Sequence, residues 1–324
     1  MKKALHIIIL LTAMSISACT KINHSTEQPD SKYPYMFFDA EVLQTKAMLD
    51  TEYLPYGEGT AFGVFGYKKD SESITPVFVN EQGELKDERM YRKTDNGSFL
   101  YDNLVLWTED TYDFYAYYPY ISGTQIGMHE DNGAYVTYTQ PTSLTAMVDF
   151  MTASTTDVEY SKNGSLVDLM FEHRLFAFDV ELKNATTSGT LTISSAEITL
   201  NGVAAEATLY YDDNDNDGNL DVETDKTLDI TEKFSFNSET VESILTLNED
   251  SFLLLPTSSL NISFTIKGTD AFGDFEIYVE SQEISSSFEA GKRYKMVISK
   301  LDGEGFMATV SGWDEGGDIT FTFN

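Results

Sequence analysis

The sequence predicts an all-β protein, and three observations carry that expectation. Apolar residues recur at every second position in many short runs. Those runs are rich in Tyr, Phe, Val and Thr and are separated by Gly, Asn, Asp and Ser. No stretch keeps helical spacing with caps over three turns. A period of two puts one face of a strand on a core and the other in water, and turn-forming residues between runs favour antiparallel hairpins. The expected architecture is antiparallel sandwiches or barrels.

The first element is a signal. Lys2 and Lys3 precede an apolar run from Ala4 to Ala13, and Ile16, Ser17 and Ala18 stand directly before Cys19, the only cysteine. A basic start, an apolar centre and small residues at the cut describe a secretory signal peptide over 1–18. The apolar run is too short to span a bilayer as a helix. With cysteine after the cut, the motif resembles a bacterial lipobox. That resemblance implies an acylated Cys19 and an outer-membrane lipoprotein, with 19–32 as a polar lipidated tether containing Pro29. The other reading is an ordinary signal peptide with a buried free thiol.

Strands follow. In Tyr33–Leu43, Met36, Phe38, Ala40 and Val42 share one face, while Phe37, Asp39 and Glu41 share the other. In Asp110–Tyr118 the shared face is Tyr112, Phe114, Ala116 and Tyr118. The alternation returns in Phe176–Leu182, Ser263–Ile266, Phe275–Val279 and Tyr294–Ser299, and only Thr142–Thr152 could hold a short helix. The 324 residues exceed what one sandwich core needs, so two domains are expected. The polar segment Thr155–Leu166, with Asn163-Gly164, precedes the strong run Val167–Phe171. It places the join between domains of 33–165 and 166–324.

Composition narrows the partners. Fifty-three acidic residues stand against 21 basic ones, for a formal net charge of −32, and loss of Lys2 and Lys3 with the signal deepens it. Such a surface repels nucleic acid and anionic lipid alike. Acylation would still hold the protein at a membrane. With Cys19 lipidated no thiol is left for a disulfide, so stability must come from burial. The 41% hydrophobic and 13% aromatic content supplies it.

Six segments carry a family resemblance. They are Thr45-Lys46-Ala47 with Ala61–Tyr67; Leu106-Trp107 with Tyr112–Pro119; Leu169–Leu175 running into Phe178-Asp179-Val180; Leu253–Pro256; Phe288–Tyr294; and Val310–Trp313. In this order, behind a lipobox, they resemble the fimbrillin superfamily of Bacteroidia, the Mfa-like and FimA-like subunits of type V pili. The resemblance implies two transthyretin-like β-sandwich domains in tandem, export as a lipoprotein to the cell surface and fimbrium, other fimbrial subunits as partners, adhesion to a host or bacterial surface, and no enzymatic activity. It also implies polymerisation by strand exchange, in which a protease frees an N-terminal strand and a neighbour's strand fills the groove. Mapped onto this chain, the removable strand is Tyr33–Leu43 with its inward set Met36, Phe38, Ala40 and Val42. The cut falls between Lys46 and Ala47. The family commonly has arginine there, so lysine points to a lysine-directed or broadly trypsin-like protease; otherwise Lys46 is a loop residue and the strand stays. At the other end Ile319–Phe323 is either a donor strand or the last strand of the second domain.

Few constellations suggest further chemistry. Asp213, Asp215 and Asp217, followed by Gly218 and Asn219, match the first half of an EF-hand loop, whose alternate oxygen ligands can wrap a calcium ion. Position twelve is Thr224, not glutamate, with Glu223 or Asp225 as substitutes. A solvated hairpin tip explains the same residues. No cofactor is required, and calcium there would be structural. His173 reads as a packed strand residue and Gly57-Glu58-Gly59 as a loop. Trp107, Trp313 and the nineteen tyrosines raise an alternative, a surface glycan-binding lipoprotein that stacks sugars on exposed rings. An outer-membrane-linked hydrolase is third, without a nameable catalytic pair.

Overall fold

The computed structural model describes residues 32–42, 61–70, 73–92, 99–130, 132–187, 189–211, 221–248, 250–303, 305–312 and 319–321. Tyr33–Asn324 forms one compact unit, built almost wholly of strands. The chain begins with β1 (Phe37–Val42), β2 (Ala61–Lys69), β3 (Ile74–Pro76), β4 (Glu88–Tyr91) and β5 (Thr111–Tyr118). β6 (Ile126–His129) and β7 (Gly133–Thr139) form a hairpin, and a 3₁₀ turn at Leu144–Ala146 leads into β8 (Met151–Val158). One helical turn, α1 (Tyr160–Asn163), precedes β9 (Leu166–His173) and β10 (Phe176–Asn184). Then come β11 (Leu191–Tyr210), β12 (Asp221–Thr240), β13 (Ile244–Thr246), β14 (Phe252–Leu254) and β15 (Thr257–Asp270). The chain ends with β16 (Gly273–Phe288), β17 (Arg293–Lys300), β18 (Phe306–Gly312) and β19 (Ile319–Phe321).

Three sheets result. The first runs β1-β9-β8-β5-β2-β3, with β4 also on β2. The second runs β13-β10-β17-β18-β19, with β14 on β10. The third runs β16-β15-β11-β7-β6, with β12 on β11. The second and third sheets share a core of mixed aliphatic and aromatic side chains: Phe176, Phe178, Val180 and Leu182 of β10 meet Ile193, Ile198 and Leu200 of β11 and Ile262 and Ile266 of β15. The first sheet folds over on itself. β8 and β9 join by only two residue pairs, Met151↔His173 and Thr152↔Glu172. Across the fold, Phe62 of β2 meets Phe171 of β9 with ring centroids 5.3 Å apart. The resulting core is aromatic and includes Tyr112, Phe114, Ala116 and Tyr118, the shared face expected of β5.

The opposite face of β5 is buried too. Tyr115 and Phe65 pack with Tyr211, while Tyr117 joins Val136, Phe150 and Leu209. Aromatics on both faces of one strand thus serve two cores. Gly66 makes this close packing feasible, since a Cβ there would lie 2.7 Å from the Phe114 ring.

Three expectations need correction. The sheets are not purely antiparallel, because β1 pairs with β9 and β10 with β17 in parallel. Parallel neighbours come from segments distant in the chain, so short-range alternation cannot reveal them. Thr142–Thr152 holds one 3₁₀ turn and then strand, since Met151–Thr155 pairs with β5 and that ladder outweighs a weak helical tendency. The boundary expected at 165/166 falls inside the first sheet, to which both β8 and β9 belong. Thr155–Leu166 is polar because α1 is a turn with no buried residue. The chain leaves the first sheet at Arg174 and Leu175, and β6–β7, from the expected first domain, belongs to the third sheet.

Candidate functional site

The alternation of Tyr33–Leu43 dictates how its strand sits. Met36, Phe38, Ala40 and Val42 are 0, 2, 3 and 7% exposed, while Asp39 and Glu41 face water. β1 lies at the end of the first sheet, and β9 is its one strand neighbour among the described residues, in register from Phe37↔Leu166 to Val42↔Phe171. The Phe37 N–H donates to the Ser165 carbonyl at 2.9 Å. On the outer side, the hydrogen bonds to β1 among the described residues gather at its start. There the Met36 N–H donates to the Val105 carbonyl at 2.8 Å and the Trp107 N–H to the Pro34 carbonyl at 3.0 Å. The Tyr101 hydroxyl donates to the Met36 carbonyl at 2.9 Å. Burial drives that phenol's pKa far above its usual range, so it stays a donor at any physiological pH. Further along, the Ala40 N–H turns to its own neighbour, the Asp39 carboxylate, at 2.9 Å.

Phe38 is the anchor. Its ring meets Phe114 edge-on at 5.2 Å and Tyr101 at 5.8 Å, with Phe78 at 6.3 Å. Those three rings, with the edge of β9, are what the strand covers. The far end of β9 is held by the buried His173, whose Nδ1 lies in close contact with the Asp149 carboxylate. Beside it the Arg174 Nε donates to Thr152 Oγ1 at 2.7 Å. The wall against which β1 lies is therefore fixed independently of β1. His173 is the packed, hydrogen-bonded strand residue that the sequence suggested.

The other expected positions fare differently. Cys19, Lys46, Ala47 and the acidic loop residues Asp213, Asp215, Asp217 and Asn219 lie outside the described residues, as do Trp313 and Gly57-Glu58-Gly59. Trp107 is 1% exposed and packs edge-on against Tyr112 at 5.3 Å, so it offers no sugar-stacking face. Sequence reasoning missed its role, which is to clamp β1 through Pro34. β19 pairs antiparallel with β18, from Ala308↔Phe321 to Val310↔Ile319, at the edge of the second sheet. Among the described residues no group of three His, Cys, Asp or Glu side chains is arranged to hold a metal. No helix among them is long and apolar enough to cross a membrane.

Comparison with known proteins fits this architecture. The fimbrillin-like family matches residues 45–313, a stretch that starts just after β1. A fimbrial protein from Bacteroides vulgatus superposes with a TM-score of 0.53 at 15% identity, covering 86% of this chain and 99% of its own. A candidate cell adhesion protein from Bacteroides uniformis gives 0.52 at 19% identity, covering 88% and 100% respectively. A third, a candidate cell adhesion protein from Bacteroides ovatus, gives 0.52 at 15% identity, with 91% and 100% covered. A comparison with curated proteins returns no significant match. At these identities the superpositions speak for the fold alone, whereas the family match spans most of the chain. The chain belongs to the fimbrillin-like family.

Proposed function

We propose that this chain is a fimbrial subunit, exported as a lipoprotein through Cys19, that assembles by strand replacement and serves adhesion at the cell surface. Cleavage after Lys46 frees β1, and a strand from a sister subunit takes its place beside β9. The observation that supports this most is the position of β1: fully inserted by its side chains, yet terminal in its sheet and in the folded unit. A strand inside a sheet could not leave without breaking two ladders, whereas an edge strand breaks one.

The energetics favour exchange over vacancy. Burying Met36, Phe38 and Val42 contributes about 5–9 kcal/mol before ordering costs. An empty groove forfeits that and leaves the β9 edge and the Phe114, Tyr101 and Phe78 rings open to water. An incoming strand with alternate apolar residues restores both the ladder and the burial. Loss of β1 is thus tolerable only briefly, which drives subunits together.

The test uses the lipid-free chain starting after Cys19, treated with a lysine-directed protease. The expected product begins at Ala47, lacks β1 and forms a ladder of oligomers that survives detergent without boiling. Lys46→Ala should abolish both the new terminus and the ladder. A product that begins at Ala47 but stays monomeric at every concentration would sink strand replacement.

A further inference from the structure

β12 raises a question that the β1 groove does not answer. It is twenty residues long, and β11 is its one strand partner among the described residues. A long unpaired edge is a template for another strand, and proteins usually blunt it. The β11–β12 register shifts near Ser195 and again near Glu206, so both ends of β12 are irregular. Between them, from Thr227 to Ser235, β12 itself runs evenly. The remaining irregularity there is taken up by β11 at Gly202, whose φ is +64°.

The pattern on this stretch is self-complementary. Asp229, Thr231, Lys233 and Ser235 face water, while Leu228 and Phe234 lean on the core but stay only half covered. Lay a second copy antiparallel, with Thr231 opposite Thr231. Asp229 of each copy then stands opposite Lys233 of the other, and Leu228 opposite Phe234. Two ion pairs form on the outer face; on the inner one two Leu228–Phe234 pairs flank two in which Ile230 stands opposite Glu232, a carboxylate already accepting from the Leu144 N–H at 2.6 Å. Centring on Asp229, Glu232 or Lys233 instead would set like charges face to face, so one register stands out.

Local chemistry leaves these groups available. Lys233 pairs with Glu197 at 3.1 Å, but both side chains are well exposed. Such a pair contributes little and can re-aim. One oxygen of the Asp229 carboxylate accepts from the Gly202 N–H of β11 at 2.8 Å, leaving the other for a partner. β16, at the opposite edge of the same sheet, is a useful contrast. Its charged residues are Asp274, Glu276, Glu280 and Glu283, with no lysine or arginine, so a copy of itself is repelled. The chain's net charge of −32 opposes any self-association. At physiological ionic strength, however, that repulsion decays over about 8 Å.

We propose that two copies of this chain associate through β12, edge to edge and antiparallel about Thr231, forming a twofold lateral contact separate from the β1 groove. The closed symmetry makes the interface isologous, so it ends at a pair. In an assembled array many such weak contacts would act together.

The experiment uses the uncleaved chain starting after Cys19, with β1 in place, so strand replacement cannot contribute. Sedimentation equilibrium should show a concentration-dependent monomer–dimer balance. Lys233→Asp sets aspartates opposite one another twice and should weaken the dimer about tenfold. The double exchange D229K/K233D recreates the pairing and should restore affinity to within about threefold of wild type. Where Cys19 is absent, Thr231→Cys places one thiol on the symmetry axis and should oxidise to a linked dimer. Asn237→Cys, off the axis, should not. A monomer at every concentration with no Thr231→Cys cross-link would overturn the proposal, as would a double exchange as weak as Lys233→Asp alone.

Discussion

β1 and β10 are written in the same pattern and occupy opposite situations. Each pairs in parallel with a distant strand, β1 with β9 and β10 with β17. Each buries four alternate residues: Met36, Phe38, Ala40 and Val42 in one, Phe176, Phe178, Val180 and Leu182 in the other. β10, however, is held on both sides, with β13 and β14 opposite β17. β1 has β9 alone as strand neighbour among the described residues. Alternation therefore tells that a strand is buried, not whether it can be removed. Position in the sheet decides that, because the cost of leaving is set by the number of ladders broken.

The largest expected effect separates the two strands directly. Phe178→Ala should cost about 3–5 kcal/mol and lower the stability of the whole protein. Phe38→Ala should cost a similar amount for docking β1, yet leave the second and third sheets intact. Hydrogen exchange reads the difference: amides of β9 should lose protection in Phe38→Ala while those of β10 and β17 keep it. Deprotection of β10 in the Phe38 variant would break the comparison.

A smaller effect probes the wall behind β1. His173→Phe leaves the buried Asp149 carboxylate without its partner and should destabilise by about 1–3 kcal/mol. Since His173 ends β9, docking of β1 should loosen with it, visible as faster cleavage at Lys46 under limited proteolysis. Unchanged cleavage would mean that β9 is held by its ladder alone.

The smallest effect concerns the β10 side of the molecule. The fully buried Lys300, at the end of β17, pairs with Asp270 at 2.9 Å and also donates to the Leu301 carbonyl at 2.7 Å. That hydrogen bond from Lys300 holds the Asp270 carboxyl below its usual range. The folded chain keeps the group ionised where the unfolded chain would protonate it. Its contribution is therefore whole above about pH 4 and is lost as pH falls through the lower folded value. Thermal melts below pH 4 should show wild type losing more stability than Asp270→Asn, measured against each protein's own value at pH 7. Parallel losses in the two proteins would remove Asp270 from the acid response.

Much of this was legible in the residues themselves. The inward set of β1 and the shared face of β5 follow from side-chain alternation, which is local geometry. His173 reads as a strand residue because its neighbours alternate. Trp107 illustrates what is not legible: a tryptophan beside a tyrosine-rich run could as well stack a sugar as close a core. Only the fold brings its ring against Tyr112, its indole N–H to the Ser165 carbonyl and its backbone N–H to the Pro34 carbonyl. The boundary expected at 165/166 fails for a related reason. Polar composition marks an exposed turn, and an exposed turn can lie within a sheet as easily as between two.

By itself the chain determined that the fold is built of strands, which faces of β1 and β5 are apolar, and that the composition is strongly acidic. These depend on periods of two and on composition, which need no knowledge of distant neighbours. The tertiary structure decided which strands are central and which are edges, that β1 and β9 run parallel, and that β12 has β11 as its one strand partner among the described residues. Those are matters of pairing between segments far apart in sequence, where the backbone hydrogen bonds are the same for every residue type.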